Sequence, residues 1–120
     1  MSTLKDRSAA PRVPDLSHPS GAGLSYLLRH RELWPKGFNW DYGNFKTCAI
    51  GLAQEVWVED FKNVPQCSFG QASTYAGDMG DYFGLSPSNA RWVFRMSYPS
   101  GDYPTPIEVA NRLDKALADA

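Results

Sequence analysis

Cys48 opens the run CAIGLAQEVW (residues 48–57), close to the predicted start of a helix, and it is the first residue to weigh for covalent chemistry. The helix dipole lowers the pKa of a thiol near a helix N-terminus, and Lys46 adds positive charge nearby. With His30 as base and Asp41 as orienter, a nucleophilic arrangement can be drawn. The chain has only two histidines, and His18 falls in a Pro-rich N-terminal stretch, so His30 is the remaining base. His30 itself lies in LLRHRE (residues 27–32), a composition that suits the C-terminal end of a helix. Cysteine is among the most frequently buried residue types, and CAIGLA is small and apolar throughout. Cys48 therefore reads as a buried structural thiol, with a cysteine-dependent enzyme as an alternative.

Metal chemistry finds no ligand pattern. Neither Cys48 with Cys67 nor Asp78 with Asp81 has a zinc or calcium spacing, and no His pair stands at i, i+4, so no metal or other cofactor is expected. Asp78 and Asp81 read as the solvent face of a helix. The GAG at 21–23 precedes a helix without the strand and loop that a phosphate-binding motif requires. Two cysteines are too few for a disulfide scaffold, and a single bridge between 48 and 67 stays open.

Residues 75–95, YAGDMGDYFGLSPSNARWVFR, form the most informative constellation. Two helices joined by a tight turn with a central Gly, and apolar residues at Met79, Phe83, Leu85, Ala90 and Val93, have the layout of a helix-turn-helix. In that reading Ser86, Ser88, Asn89, Arg91 and Arg95 face the major groove and phosphates, with Trp92 a bulky exposed neighbour. Asp78 and Asp81 would repel phosphate, and 12 basic against 13 acidic residues supply no compensating field. The same five apolar positions serve an ordinary helical hairpin. Four Trp and six Tyr suggest another use: Trp34, Tyr42, Trp92, Tyr98 and Tyr103 are the residue types that anchor protein interfaces, or else half-buried lids over a thin core.

The elements that must position these residues follow from spacing and punctuation. A chain of 120 residues is one domain by size. Residues 1–19, with Pro11, Pro14 and Pro19, read as a flexible N-terminal arm, and 20–120 as a helical domain. Leu24, Leu27 and Leu28 share one face of a first helix that Pro35 stops. An aromatic loop with Phe38, Trp40 and Phe45 leads to a second helix, capped by Asn44 or Thr47 and ending near Trp57. Gly51 inside it implies a closely packed neighbouring backbone. Residues 58–70 read as irregular or as a short strand or hairpin. A third helix carries Ala72, Tyr75, Ala76, Met79, Tyr82 and Phe83, and Gly84 caps its end. Ser86 N-caps a fourth helix with Pro87 at its first position. Thr105 and Glu108 form a capping box for a fifth, which turns Val109, Leu113 and Leu117 inward.

The order CAIG, YFGLSPSNARWVF, TPIEVANRL resembles a group of small bacterial and phage-associated helical proteins of unknown function. The resemblance covers roughly residues 38–117 and implies a helical fold, with no catalytic residue to carry over. Many proteins of that pattern have Glu where this chain has Ser88 and Asn89, which makes this segment less acidic.

The chain is thus expected to be mainly α, a single compact domain of about five helices. Its expected role is a non-enzymatic binding or regulatory module with a protein partner; the alternatives are a helix-turn-helix DNA binder using Arg91 and Arg95, and a cysteine enzyme using Cys48. Homo-oligomerisation stays open. No membrane partner is expected, because no stretch approaches 18 uninterrupted apolar residues, and the default compartment is the cytoplasm.

Overall fold

Ser20 starts the first helix by local chemistry: in extended conformation, its hydroxyl accepts the Gly23 N–H at 2.9 Å. This is α1, Gly21–Arg29, followed by a 3-10 turn over Arg31–Leu33. The computed structural model describes residues 13–40, 48–64, 72–95 and 104–119, the side chains of 72–74 excepted. Its further helices are α2 (Ala49–Val56), α3 (Val58–Phe61), α4 (Ala72–Met79), α5 (Pro87–Phe94) and α6 (Pro106–Ala118), with a second 3-10 turn over Gly80–Phe83. Six α-helices and no strand are present among the described residues, and their buried apolar residues form one core. None of these helices is long and apolar enough to cross a membrane.

The architecture closes by bringing the last helix back across the first. Leu24, Leu27 and Leu28 of α1 and Val109, Ala110 and Leu113 of α6 are all buried, and this is the most extensive helix pairing among the described residues. A polar clamp runs beside that apolar seam. Asp114 accepts from the buried Ser25 hydroxyl at 2.6 Å and from Arg29 Nη2 at 2.7 Å, while Arg29 also donates to Asn111 Oδ1 at 2.9 Å. α5 lies against both α4 and α6, and the second 3-10 turn meets α1 and α5.

Two glycines set how closely these pieces approach. A Cβ on Gly80 would stand 2.8 Å from Ala90 Cβ and 2.9 Å from the Leu85 carbonyl oxygen, so α5 can seat only against a bare backbone there. A Cβ on Gly21 would stand 2.6 Å from the Phe83 carbonyl oxygen, fixing α1 against the 3-10 turn. Between them the turn itself is made by Gly84, whose φ of 73° lies in the left-handed region that suits glycine.

The capping signals behave as expected. Ser86 accepts from Asn89 N–H at 3.2 Å, Pro87 occupies the first turn of α5, and Thr105 with Glu108 completes a reciprocal capping box. Val109 and Leu113 are buried and Leu117 is half-buried.

Three boundaries differ from expectation. α1 ends at Arg29, before Pro35, because side chains take over its last carbonyls: His30 Nδ1 bonds the Tyr26 oxygen at 2.8 Å and Trp34 Nε1 donates to the Leu27 oxygen at 2.7 Å. α2 begins after Cys48, whose extended backbone provides the start without a side-chain cap; Asn44 and Thr47 lie outside the described residues. Residues 58–61 are a helical turn, not a strand. The chain bends at Trp57 and restarts, with Phe61 N–H donating to the Trp57 oxygen at 3.2 Å, so that Phe61 reaches the core. The rest of the strand expectation, 65–70, lies outside the described residues. Gly51 is buried in α2.

Residues 13–19 of the expected arm are seated on the domain. Leu16 packs against the core and its carbonyl accepts Trp57 Nε1–H at 2.8 Å, while His18 Nδ1 lies 3.0 Å from Asp60 Oδ2. Ser17 turns this segment by donating its hydroxyl and then its backbone N–H to Asp15, which holds that carboxyl below its usual range. Residues 1–12 lie outside the description.

Gly80→Ala should lower stability by about 1–3 kcal/mol, read as a lower urea midpoint, because the clash is with backbone and with a helix neighbour. An unchanged midpoint would show that α5 can back away. Asp114→Ala should cost about 1–2 kcal/mol by stranding the Ser25 hydroxyl, and Asp114→Asn, which keeps an acceptor, should cost less. Equal losses for the two would assign the effect to charge.

Candidate functional site

The helical hairpin of α4, the 3-10 turn and α5 brings the sequence-predicted residues together, but with their side chains differently employed. Arg91 is exposed, yet its guanidinium folds back over α4: a Cβ on Gly77 would come within 2.7 Å of Arg91 Nη1. Glycine at 77 thus provides the shelf on which Arg91 lies. Ser88 is exposed, and Asn89 is half-buried, its N–H already given to the Ser86 cap. Trp92 is half-buried against the core and is not a bulky exposed neighbour of these residues. Arg95 is exposed at the end of α5, and its carbonyl receives Arg112 Nη1 at 2.5 Å. Arg112 also reaches the Val93 oxygen at 3.3 Å, so a cation from α6 covers the negative end of the α5 dipole.

Beyond the end of α1, sequence reasoning had named Trp34 singly, and the structure makes it one rung of a ladder. Arg31 stacks over the Trp34 ring at 4.9 Å, Trp34 stacks on Trp40 with centroids 6.0 Å apart, and Phe38 meets Trp34 edge-on at 5.5 Å. Both indole N–H groups point inward: Trp34 donates to the Leu27 oxygen and Trp40 to the Pro104 oxygen at 3.0 Å. The ring orientations are therefore set by backbone acceptors on α1 and just before α6. Leu33, in the same turn as Arg31, is 44% exposed, and Lys36 is exposed close behind in sequence. The i, i+3 spacing of Arg31 and Trp34 was a local signal for the first rung. The second depends on where Pro104 returns and has no local signal.

A third feature lies on the other side of α4. Val64, Tyr75, Asp78, Met79, Asp81 and Tyr82 line a half-open groove of about 360 Å³. Met79 is buried at its floor, and the Tyr82 ring is backed by Phe61 at 4.5 Å. Gln54 Nε2 donates to the Tyr75 hydroxyl at 2.6 Å.

Of the thiol arrangement, Cys48 and His30 lie among the described residues. Cys48 is 3% exposed, within the core. His30 spends Nδ1 on the Tyr26 carbonyl and stacks on the Tyr26 ring at 4.0 Å. Asp41, Lys46 and Cys67 lie outside the described residues, as do Tyr42, Tyr98 and Tyr103. Among the described residues no three His, Cys, Asp or Glu side chains are grouped to hold a metal ion.

The chain matches no protein-family model, no curated protein and no solved structure, so any functional reading stands on this geometry alone.

Burial predicts the behaviour of the thiol. In native protein, iodoacetamide should leave Cys48 unmodified, and peptide mapping should find it alkylated only as the protein is unfolded by urea. Alkylation at the rate of an exposed thiol would restore the nucleophile reading.

Proposed function

We propose that this chain is a non-enzymatic binding module whose partner is another protein, engaged through the Arg31–Trp34–Trp40 ladder and the exposed Leu33 beside it. The observation that carries this reading is the fixed orientation of the ladder. Tryptophan and arginine are the residue types on which interface energy concentrates. Here their side chains are held by stacking and by backbone acceptors before any partner arrives, so association loses less side-chain freedom. Duplex DNA reading by α5 has less support: Arg91 is committed to the shelf at Gly77, and Asp78 and Asp81 are exposed on the neighbouring elements, where they repel phosphate.

The test compares native affinity capture from cell lysate, with and without nuclease, for the wild type and for two surface variants, Leu33→Asp and Arg31→Ala. The expected result is a nuclease-resistant protein partner whose recovery falls about tenfold with Leu33→Asp while the circular dichroism spectrum is unchanged. Capture that survives both substitutions would remove the ladder as the contact. Capture that vanishes with nuclease would move attention to α5.

A further inference from the structure

We propose that the groove between α4, the second 3-10 turn and Val64 is a docking site for a basic segment of a partner polypeptide, with one Arg or Lys side chain seated between Tyr75 and Tyr82 beneath the carboxylates of Asp78 and Asp81. This goes beyond the ladder and stands on separate observations.

The volume comes first. About 360 Å³ falls at the lower end of the range for small-ligand sites, about 300–1,000 Å³, and the groove is half-open, a shape that admits a side chain carried on an extended backbone. The walls are apolar and preset by the fold. Tyr82 leans on Phe61 of α3, Tyr75 is held by Gln54 of α2, and the floor is Met79, whose flexible thioether adapts to a guest side chain.

The charge then chooses the guest. Asp78 and Asp81 are both exposed, and neither enters an ion pair among the described residues. Among the described residues no cation lines the groove. Lys62, two residues before Val64, pairs with Glu59 at 3.1 Å, and Arg91 is turned onto Gly77. An anionic segment would meet two uncompensated carboxylates, and a purely apolar one would partly desolvate them without return. A guanidinium or ammonium gains both carboxylates and the faces of two tyrosines, and its aliphatic stem covers Met79 and Val64.

The test titrates the ¹⁵N-labelled full chain with the blocked tripeptide LRL, its LEL counterpart and arginine amide, following amide shifts at low and raised salt. The expected result is saturable shifts at residues 78–82 with LRL, weakened by salt, and no such response to LEL. The double variant Asp78→Asn with Asp81→Asn, shown to be folded by circular dichroism, should bind LRL about tenfold more weakly. Any of four results would overturn the proposal: no saturable response to LRL, equal responses to LRL and LEL, shifts confined to another face, or unchanged LRL affinity in the double variant. Arginine amide binding as well as LRL would overturn the polypeptide occupant, because the apolar walls would then contribute nothing. The ladder is probed by Leu33→Asp and the groove by the two aspartates, so each reading can fail without the other.

Discussion

The pairing of α1 with α6 is the constraint on which the rest depends. It joins residues more than 80 positions apart, as in the Ser25–Asp114 hydrogen bond, so the entropy of closing nearly the whole chain must be recovered at one seam. Leucines on α1 and Val109 and Leu113 on α6 supply the apolar part, and Asp114 supplies a directional part that lets the buried Ser25 hydroxyl be satisfied. Without that seam the carbonyl of Pro104 would not stand where Trp40 finds it, and Arg112 would not reach the end of α5. The ladder thus takes the position of its second rung from the segment that leads into this seam.

Glycine decides how the hairpin is used. At Gly80 the missing Cβ lets α5 seat against the 3-10 turn, and at Gly77 it gives Arg91 somewhere to lie. The consequence is electrostatic. With Arg91 laid over Gly77 of α4, Asp78 on that helix and Asp81 in the 3-10 turn have no paired cation among the described residues, while the basic side chains Arg31 and Lys36 belong to the turn and loop after α1. A chain with a net charge of −1 thus separates its charge locally, which its overall composition does not reveal.

What could be read from the sequence was what local chemistry decides. Ser86, Gly84 and the Thr105–Glu108 pair act within three or four residues of themselves, so their patterns were sufficient to place the ends of α5, the 3-10 turn and α6. The end of α1 was legible only in part: the basic run after Leu28 marked it, but its carbonyls are taken by His30 and Trp34, side chains that a propensity argument treats as passengers. The helical turn at 58–61 was missed for a related reason: it buries Phe61 in the core, while Pro65 and Gly70 made the segment 58–70 read as irregular or a short strand. Arg91 is exposed on α5, but only tertiary packing shows that its head folds back over a glycine. The groove had a partial signal in Asp78 and Asp81 at i, i+3. Its walls come from Phe61 and Gln54 on other helices, and spacing along one helix cannot announce them.

These features bear on why so small a domain carries so many aromatic residues. A core of this size is filled by Leu, Val, Ala and a few Phe, and the tryptophans are placed mainly at its margin, where Trp34, Trp40 and Trp92 are half-buried and only Trp57 is fully covered. Trp34, Trp40 and Trp57 direct their indole N–H to backbone carbonyls of other segments, at Leu27, Pro104 and Leu16. Each therefore ties a loop or the N-terminal segment to the helical frame while leaving ring surface at the boundary. Fastening loops and presenting aromatic faces are compatible in one side chain because the polar atom and the π-face point in different directions. The aromatic excess is then a structural need of loop-rich connections, and the same fastening makes the exposed ring surface rigid enough to serve as a contact.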